Sequence, residues 1–295
     1  MKFSLAIAAL VSAASAVPVR IVPTEQGAIY LGVPLPLVRD ETLPAAPLSL
    51  AVGNDVPTAF DWRNSSLPQC VGAVRNQGKC GSCWAEGCAT SLSDRFCIAS
   101  GGAQQVELAT AELVACDNND GGCQGGELGT AWEFAQNTGL VDTTCYPYPI
   151  PGDCSPQPCM PNTFVPTPSC PSSCPGTGDW NKRYYAKSAY NVGGDFDSIA
   201  AEIYANGPVE LAFEVYENFL TFNFANGAVY RQTGGQLLGG HAVSAVGFGQ
   251  TSDGVNFFTI RNSWTTSWGD NGYFNIAADT AGIMSNPVAG MPKLN

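Results

Sequence analysis

The chain has 295 residues, including 12 cysteines and one histidine, and its formal net charge at pH 7 is −12. Such an acidic chain disfavours nucleic-acid binding, because neutralising phosphates requires clustered Lys and Arg. It fits an acidic compartment, where partly protonated carboxylates repel one another less. After the first residues, no stretch approaches the ~20 apolar residues that span a bilayer, so no membrane insertion of the mature chain is expected.

The first 16 residues have the layout of a signal peptide. Lys2 precedes an apolar run over residues 3–11, and residues 14–16 (Ala-Ser-Ala) fit the small-residue cleavage pattern. An uncleaved membrane anchor is the alternative, for which the apolar run is short. Twelve cysteines in a chain that enters the secretory pathway indicate a disulfide framework. We therefore expect a protein that is secreted or delivered to a lysosome or vacuole.

Residues 17–55 are rich in Pro, Leu and Val and contain no cysteine. Four prolines prevent a long helix there: Pro34, Pro36, Pro44 and Pro47. We predict a short pro-segment, and a disordered leader is the alternative. The mature domain is expected to extend from residue 56 to residue 295, a length that allows one large domain or two lobes sharing an interface.

Helices are predicted mainly in the first half of the mature chain and strands in the second. The run from Cys83 to about Ala99 lacks Pro and is largely apolar, which predicts a buried helix that ends at Gly101-Gly102. Further helices are predicted over 110–115, 127–136 and 195–205, and a stapled loop rich in Pro and Cys over 145–180. Strands are predicted over 209–215, 242–248, 257–260 and 273–276. This order indicates an α+β protein with a helical lobe over about 70–180 and a β-rich lobe over about 181–295.

Cys83 and the single histidine, His241, are the candidate catalytic pair. A thiol is a poor nucleophile at acidic pH unless its pKa is lowered, which the N-terminus of a helix and a nearby imidazolium both do. Cys83 begins the predicted helix, and His241 enters a predicted strand, so the two could meet only in the folded chain. The pair would perform covalent acyl transfer. A structural histidine is one alternative; metal binding is disfavoured, because one histidine and these cysteine spacings do not form a usual zinc site.

Two amide side chains complete the candidate site. The Asn262 carboxamide oxygen can accept a hydrogen bond from the imidazole and fix its orientation, and Trp264 could cover that bond. The Gln77 side chain, six residues before Cys83, could form an oxyanion hole with the Cys83 backbone N–H. For Gln77 alone, a surface amide is the alternative.

In this order the residues resemble the papain-like cysteine peptidases, and among them the cathepsin B-like members. The matching motifs extend from about residue 60 to residue 292 and comprise Gln77, residues 80–84, 122–126, 240–242, 262–264 and 268–269. Residues 93–97, 206–210 and 215–220 resemble cathepsin B segments in particular. The resemblance implies a two-lobed fold, one lobe helical and one a β-barrel, with the active-site cleft between them.

The resemblance also implies roles for individual residues. Cys83 would be the nucleophile, His241 the acid and base, Asn262 the orienting group and Gln77 the oxyanion donor. Substrate would contact Gly125, Gly126, Gly240, Trp264 and Asn286. The two neighbouring glycines would let an extended substrate pair with their backbone, although a tight turn is an alternative reason for them. No cofactor and no metal would be needed.

The cysteine pairing is likewise implied by the resemblance, since sequence alone leaves the connectivity open. The implied pairs are Cys70–Cys97, Cys80–Cys123, Cys116–Cys170, Cys145–Cys174 and Cys154–Cys159. Cys83 and Cys88 would stay free. Asn64 begins an N-glycosylation acceptor, Asn-Ser-Ser. The expected partners are peptide or protein substrates, the chain's own pro-segment and cystatin-type inhibitors, and the protein is expected to be a monomer.

Three departures from cathepsin B affect the predicted function. Only four residues lie between Cys154 and Cys159, and no His, Lys or Arg occurs between Cys145 and Asp179, so no cation there could hold a substrate's C-terminal carboxylate. This predicts an endopeptidase with an open cleft rather than dipeptide removal. Asn286 replaces a glutamate at the base of the pocket for the P2 side chain, which predicts apolar P2 residues.

Glu86 is the third departure, because the family usually has phenylalanine at this place. A carboxylate there costs free energy if it is buried without a partner. If it lies near Cys83, its charge opposes formation of the thiolate. The alternative function that follows is a catalytically inactive papain-like protein that binds peptides.

Overall fold

The computed structural model describes residues 20–24, 27–47, 56–150 and 165–294. The predicted signal peptide at 1–16 and the predicted disulfide Cys154–Cys159 lie outside these ranges. Within them, no helix is both long enough and apolar enough to cross a membrane.

The central helix α1 extends over Cys83–Ala99, as predicted from its composition. Every residue of it from Cys83 to Cys97 is buried, which is the property of a helix that is packed on all sides. It ends where Gly101 and Gly102 adopt positive φ angles of 63° and 91°. Glycine is favoured in this left-handed region because it has no Cβ.

Four shorter helices follow this one along the chain. They are α2 (Thr110–Cys116), α3 (Leu128–Asn137), α4 (Phe196–Asn206) and α5 (Glu217–Leu220). Helix α4 shows the local signals most clearly: the Asp195 side chain accepts a hydrogen bond from Ser198 N, and Gly207 ends the helix with a φ of 108°. The described parts of 145–180 contain no helix or strand, as expected.

The β-rich part of the chain is one eight-stranded sheet. Its strands are β3 (Phe60–Asp61), β4 (Ala186–Asn191), β5 (Val209–Tyr216), β6 (Val229–Tyr230), β7 (Leu237–Gln250), β8 (Asn256–Arg261), β9 (Tyr273–Ala277) and β10 (Val288–Pro292). The strand order is β4-β10-β5-β7-β8-β9-β6, and β3 pairs separately with β7. Among the described residues the two end strands of the sheet do not pair, so the expectation of a closed barrel is wrong. The α+β papain-like architecture itself is confirmed.

One buried guanidinium joins the helical part to the sheet. Arg95 lies on α1 with none of its surface exposed. It donates to the backbone oxygens of Gly207 and Pro208, at 3.0 and 2.7 Å, and pairs with Glu202 on α4 at 2.9 Å. It also donates to the Gly290 oxygen on β10. These bonds satisfy a charge that would otherwise be costly to bury.

Four disulfides occur in the described residues: Cys70–Cys97, Cys80–Cys123, Cys116–Cys170 and Cys145–Cys174. They are the same pairs that the resemblance implied. Cys83 and Cys88 are free and buried. Asn64 is exposed at the end of a 3-10 turn over Trp62–Asn64.

The segment before the peptidase domain begins with a hairpin of β1 (Arg20–Thr24) and β2 (Gly27–Leu31). The chain after it is extended rather than helical, as its prolines predicted. Val33 forms an isolated antiparallel bridge with Gly240, and Ala45 a parallel bridge with Asn191. The segment therefore crosses the molecule from β7 to β4.

Candidate active site

Cys83 occupies the first position of α1, and its side chain is fully buried. The pKa of this thiol is raised to about 11, mainly by burial and to a smaller extent by a nearby carboxylate, Glu210. Hydrogen bonds from the backbones of Ala242, Gly32 and Trp84 act in the opposite direction. Because Ala242 directly follows His241, the thiol lies beside the strand that carries the histidine.

His241 on β7 is paired with Asn262, which directly follows β8. The His241 Nε2 to Asn262 Oδ1 distance is 2.8 Å, and the same oxygen accepts the backbone N–H of Ser263 at 2.8 Å. Since a carboxamide oxygen only accepts, Nε2 carries the proton and Nδ1 is left as the basic nitrogen. Nδ1 is buried and has no hydrogen-bond partner among the described residues. Burial lowers the pKa of His241 to about 4.

An aromatic ring covers this pair. The Trp264 ring stacks on the His241 ring, with centroids 4.4 Å apart and planes inclined by 29°. Phe213, opposite His241 on β5, contacts the imidazole edge-on from another side. The rings exclude water from the His241–Asn262 bond, which strengthens it.

The Gln77 side chain is held from both ends. Its Oε1 accepts hydrogen bonds from Ser263 Oγ at 2.7 Å and from Trp264 Nε1 at 3.1 Å, which fixes the amide orientation. Its Nε2 donates to the carbonyl oxygens of Cys80 and Tyr30, at 2.9 and 2.8 Å. Tyr30 belongs to β2, so the leading segment reaches the predicted oxyanion site.

The leading segment then pairs with two of the predicted substrate-binding glycines. Gly126 N donates to the Gly32 oxygen at 2.9 Å, and Val33 N donates to the Gly240 oxygen at 3.1 Å. Gly125, with a φ of 109°, bonds through its backbone to Gly121 and Gly122 and forms the turn that presents Gly126. A Cβ on Gly126 would lie 2.6 Å from the Trp84 ring, so a side chain there would be blocked.

Asn286 lies in the turn that joins β9 to β10. It is 2% exposed, and its Oδ1 has no hydrogen-bond partner among the described residues. In the same turn, a Cβ on Gly282 would lie 3.4 Å from Leu37 of the leading segment and 4.0 Å from Glu214. The Glu214 carboxylate accepts the Tyr216 hydroxyl at 2.7 Å. Leu37 and Glu214 therefore both lie next to Gly282, four residues before Asn286.

Glu86 is buried, but it has partners. Its Oε2 accepts the Thr110 hydroxyl at 2.8 Å and lies 3.7 Å from Arg75 NH1. Burial raises the pKa of this carboxyl, although Arg75 and Thr110 lower it. Arg75 places a positive charge beside the Glu86 carboxylate. The concern that an unpaired Glu86 charge opposes the thiolate therefore loses its basis.

Several residues of the site were not found from the sequence. Ser263 was seen only as part of a motif, yet it bonds Gln77; Tyr30, Gly32 and Val33 lie in a segment with no chemical motif. Tyr148, half-buried in the predicted loop, bonds both Gln77 and Ser82. A carbonyl-bonding tyrosine leaves no local pattern in a sequence.

Comparison with known proteins agrees with this geometry. The sequence model of the papain family cysteine protease matches residues 56–291. The chain is 41% identical over 266 residues to the cathepsin B-like cysteine proteinase 6 of Caenorhabditis elegans, covering 82% of this chain and 68% of that protein. It is also 41% identical to cathepsin B of Dictyostelium discoideum, covering 82% and 76% of the two chains.

A solved structure extends the similarity to the leading segment. The procathepsin B S9 of Trypanosoma congolense matches with a TM-score of 0.77 at 28% identity, over 90% of this chain and 87% of that one. A family match over most of the peptidase domain, two relatives above 40% identity and this fold all agree. The chain belongs to the papain family of cysteine proteases and is cathepsin B-like within it.

Proposed function

We propose that the chain is a thiol endopeptidase of the secretory pathway that is made as a zymogen. Residues 1–16 are its signal peptide, 17–55 its pro-segment and 56–295 its peptidase domain. The observation that carries the proposal is the His241–Asn262 bond beside Cys83, with the segment of Tyr30 to Val33 lying over it. The lysosome or vacuole and the cell exterior are the expected destinations.

In the mechanism, the Cys83 thiolate attacks the carbonyl carbon of a peptide while its proton resides on His241. Gln77 Nε2 and the Cys83 N–H stabilise the oxyanion that forms. The imidazolium protonates the leaving amine, which departs and leaves a thioester on Cys83. His241 then takes a proton from water, whose oxygen attacks the thioester and releases the acid. Asn262 keeps Nε2 protonated, so that Nδ1 is the nitrogen that exchanges the proton with the thiol.

The pro-segment supports the zymogen part of the proposal. It occupies the backbone partners that an extended peptide would use on Gly126 and Gly240, and it occupies the Gln77 amide. With the segment in place Cys83 and His241 are both buried, and a thiol pKa of about 11 and an imidazole pKa of about 4 keep both groups neutral. Removal of the segment would restore water to the site and allow the thiolate–imidazolium pair.

The reason to propose endopeptidase action is the composition of the loop after Cys145. A terminal carboxylate in the cleft would need a cation, and no His, Lys or Arg lies between Cys145 and Asp179. His241, the one histidine of the chain, is engaged with Asn262. An inactive peptide-binding protein remains the second candidate, but the partners of Glu86 weaken the reason for it.

The test is hydrolysis by matured protein of two substrates that share one cleavable sequence. One is an internally quenched peptide with both ends blocked, and the other has a free C-terminus that permits dipeptide release. We expect the blocked peptide to be cleaved at least as fast as the free one. Cys83→Ser should abolish both reactions, whereas Cys88→Ser, at the other free cysteine, should not. Release of dipeptides from free C-termini alone contradicts endopeptidase action; activity of Cys83→Ser contradicts the proposed nucleophile.

A further inference from the structure

We propose that Tyr148 is a positioning residue that holds the two halves of the oxyanion hole in register, an inference that rests on the proposed peptidase function. Its hydroxyl oxygen lies 2.9 Å from the backbone oxygen of Gln77 and 2.6 Å from Ser82 Oγ. Gln77 supplies the side-chain donor of the hole. Ser82 directly precedes Cys83, which supplies the backbone donor.

The direction of the two hydrogen bonds follows from chemistry. A carbonyl oxygen has no proton, so the single phenolic proton of Tyr148 is donated to the Gln77 oxygen. The Ser82 hydroxyl must then donate to the Tyr148 oxygen. The result is a directed chain from Ser82 through Tyr148 to Gln77, in which each hydroxyl donates once.

The state of Ser82 is an independent sign that this chain matters. Serine at the N-cap position of a helix usually accepts a hydrogen bond from a backbone N–H of the first turn. Ser82 stands at the N-cap of α1, but its side chain makes no such bond. Its hydroxyl is bound to Tyr148 instead, so the start of the helix that carries Cys83 is tied to the loop that carries Gln77.

The loop that carries Tyr148 is constrained by a disulfide and a backbone hydrogen bond. Cys145, three residues earlier, is joined to Cys174 by a disulfide, and its carbonyl accepts Gly176 N at 2.8 Å. The phenol also keeps its proton, because burial and the charge of Glu86 raise the pKa of Tyr148 well above its ordinary value. Tyr148 is therefore a fixed donor at any pH at which the enzyme would work.

Placement of this kind acts on the transition state. Oxyanion donors must be held within about half an ångström of their productive positions to stabilise developing charge. Loss of the Tyr148 hydroxyl would let the Gln77 carbonyl and Ser82 separate, while the groove that binds the substrate backbone at Gly126 and Gly240 would stay intact. The expected loss is in kcat rather than in KM.

The test compares Tyr148→Phe with Tyr146→Phe in the matured enzyme. Tyr146 lies two residues earlier on the same loop, is 5% exposed, and packs with Val141 and Cys145 in a cluster that Tyr148 only borders. We expect Tyr148→Phe to lower kcat on a peptide about 10-fold with KM changed less than about twofold. Tyr146→Phe should leave both unchanged. Ser82→Ala, which removes one bond of the chain, should give a smaller loss in the same direction.

Two further measurements separate positioning from general damage. A peptide aldehyde forms a tetrahedral adduct whose oxygen needs the oxyanion hole, so its affinity for Tyr148→Phe should fall by the same factor as kcat. Alkylation of Cys83 by iodoacetamide needs no oxyanion hole, so its rate should not change. Unchanged kcat and aldehyde affinity would overturn the inference, and so would a parallel fall in alkylation. A wild-type enzyme that cleaves no peptide would instead refute the proposed function, and the aldehyde comparison would still decide the role of Tyr148.

Discussion

Gln77 donates a hydrogen bond from Nε2 to the backbone carbonyl of Tyr30 at 2.8 Å, although the two residues are 47 positions apart in the chain. The proposed oxyanion donor is therefore occupied by the proposed pro-segment. The other end of the same amide is held by Ser263 and Trp264. The pro-segment meets an oxyanion donor that is already oriented, which reduces the entropy lost on binding.

Gly32 is the residue on which the path of the pro-segment depends. A Cβ at this position would lie 1.9 Å from the Gly81 oxygen, which is backbone and cannot move aside cheaply. We expect a synthetic peptide of residues 20–47 to inhibit the matured enzyme, and its Gly32→Ala form to bind at least about 10-fold more weakly, equivalent to about 1.4 kcal/mol.

Val38→Ala is the matched control for that peptide, because Val38 is 61% exposed in the same segment. Its inhibition constant should match that of the unmodified peptide. Equal inhibition by the Gly32→Ala peptide would show that the segment does not follow this path when it binds the mature domain.

Removal of the pro-segment should change the reactivity of Cys83. Beneath the segment its pKa is about 11, so thiolate is scarce at pH 5 and the rate of alkylation should increase only toward alkaline pH. After maturation we expect alkylation by iodoacetamide at pH 5 to be on the order of 100-fold faster. Peptide mass spectrometry assigns the modified residue. Cys88, whose pKa burial raises well above its ordinary value, is the internal control and should stay unmodified in both forms. Equal Cys83 rates before and after maturation would contradict the expectation.

The P2 preference should be apolar. Asn286 offers no charge to an arginine side chain, whose burial without a partner would cost about 1–3 kcal/mol. Peptides with Leu at P2 should therefore be cleaved about 10- to 100-fold more efficiently than those with Arg, measured as kcat/KM. Comparable rates would refute this preference and would point to Glu214, the carboxylate beside Gly282, as the partner of the arginine. Glu214→Gln would then restore the preference for Leu.

The stability of the fold should depend on Asp120. Burial raises its pKa from an ordinary 3.8 to about 7, so the folded chain holds this proton more tightly than the unfolded chain does. Its contribution to stability is then fully present below about pH 4 and is lost as the pH rises through 7. Asp120→Asn should flatten the decline of the melting temperature between pH 4 and 7.

His241 acts in the opposite sense over part of that range, because its pKa is lowered from 6.5 to about 4. The informative quantity is therefore the difference in slope between the variant and the wild type. Replacement of Asp253 by Asn, at an exposed carboxyl, should not flatten the slope. A wild-type slope retained in Asp120→Asn would exclude Asp120 as the responsible group.

Local signals in the sequence were enough for much of the fold. Helix α1 has the bounds that its composition predicted, because no Pro interrupts it and two glycines end it. Strands β4 and β10 were missed. Strand β10 reads Val-Ala-Gly-Met-Pro, which disfavours a strand, and it forms because it pairs with β4 on one side and β5 on the other. Pairing of this kind is set by the tertiary structure and leaves little trace in one strand.

The candidate site likewise contains residues that the sequence identified and contacts that it did not. Cys83, His241, Asn262 and Gln77 were identifiable because the chemistry needs those residue types, and the structure brings the last three into one bonded group around Ser263 and Trp264. The bonds of Tyr148 and the partners of Glu86 were not, since the partners lie 66 and 71 positions from Tyr148 and 11 and 24 positions from Glu86. From the sequence alone, a buried Glu86 was expected to oppose formation of the Cys83 thiolate. In the structure its carboxylate is paired with an arginine and a threonine.

Arg95 fixes the position of α1 relative to the sheet, and with it the width of the cleft. To widen or narrow the cleft by turning α1 against the sheet would strip a buried guanidinium of its carbonyl and carboxylate partners, at a cost of about 3–5 kcal/mol. A cleft of fixed width favours inhibition by a segment that fits into it over inhibition by a change in the angle between helix and sheet. The extended segment meets this condition because glycine, at Gly32, stands where it approaches the Gly81 backbone most closely.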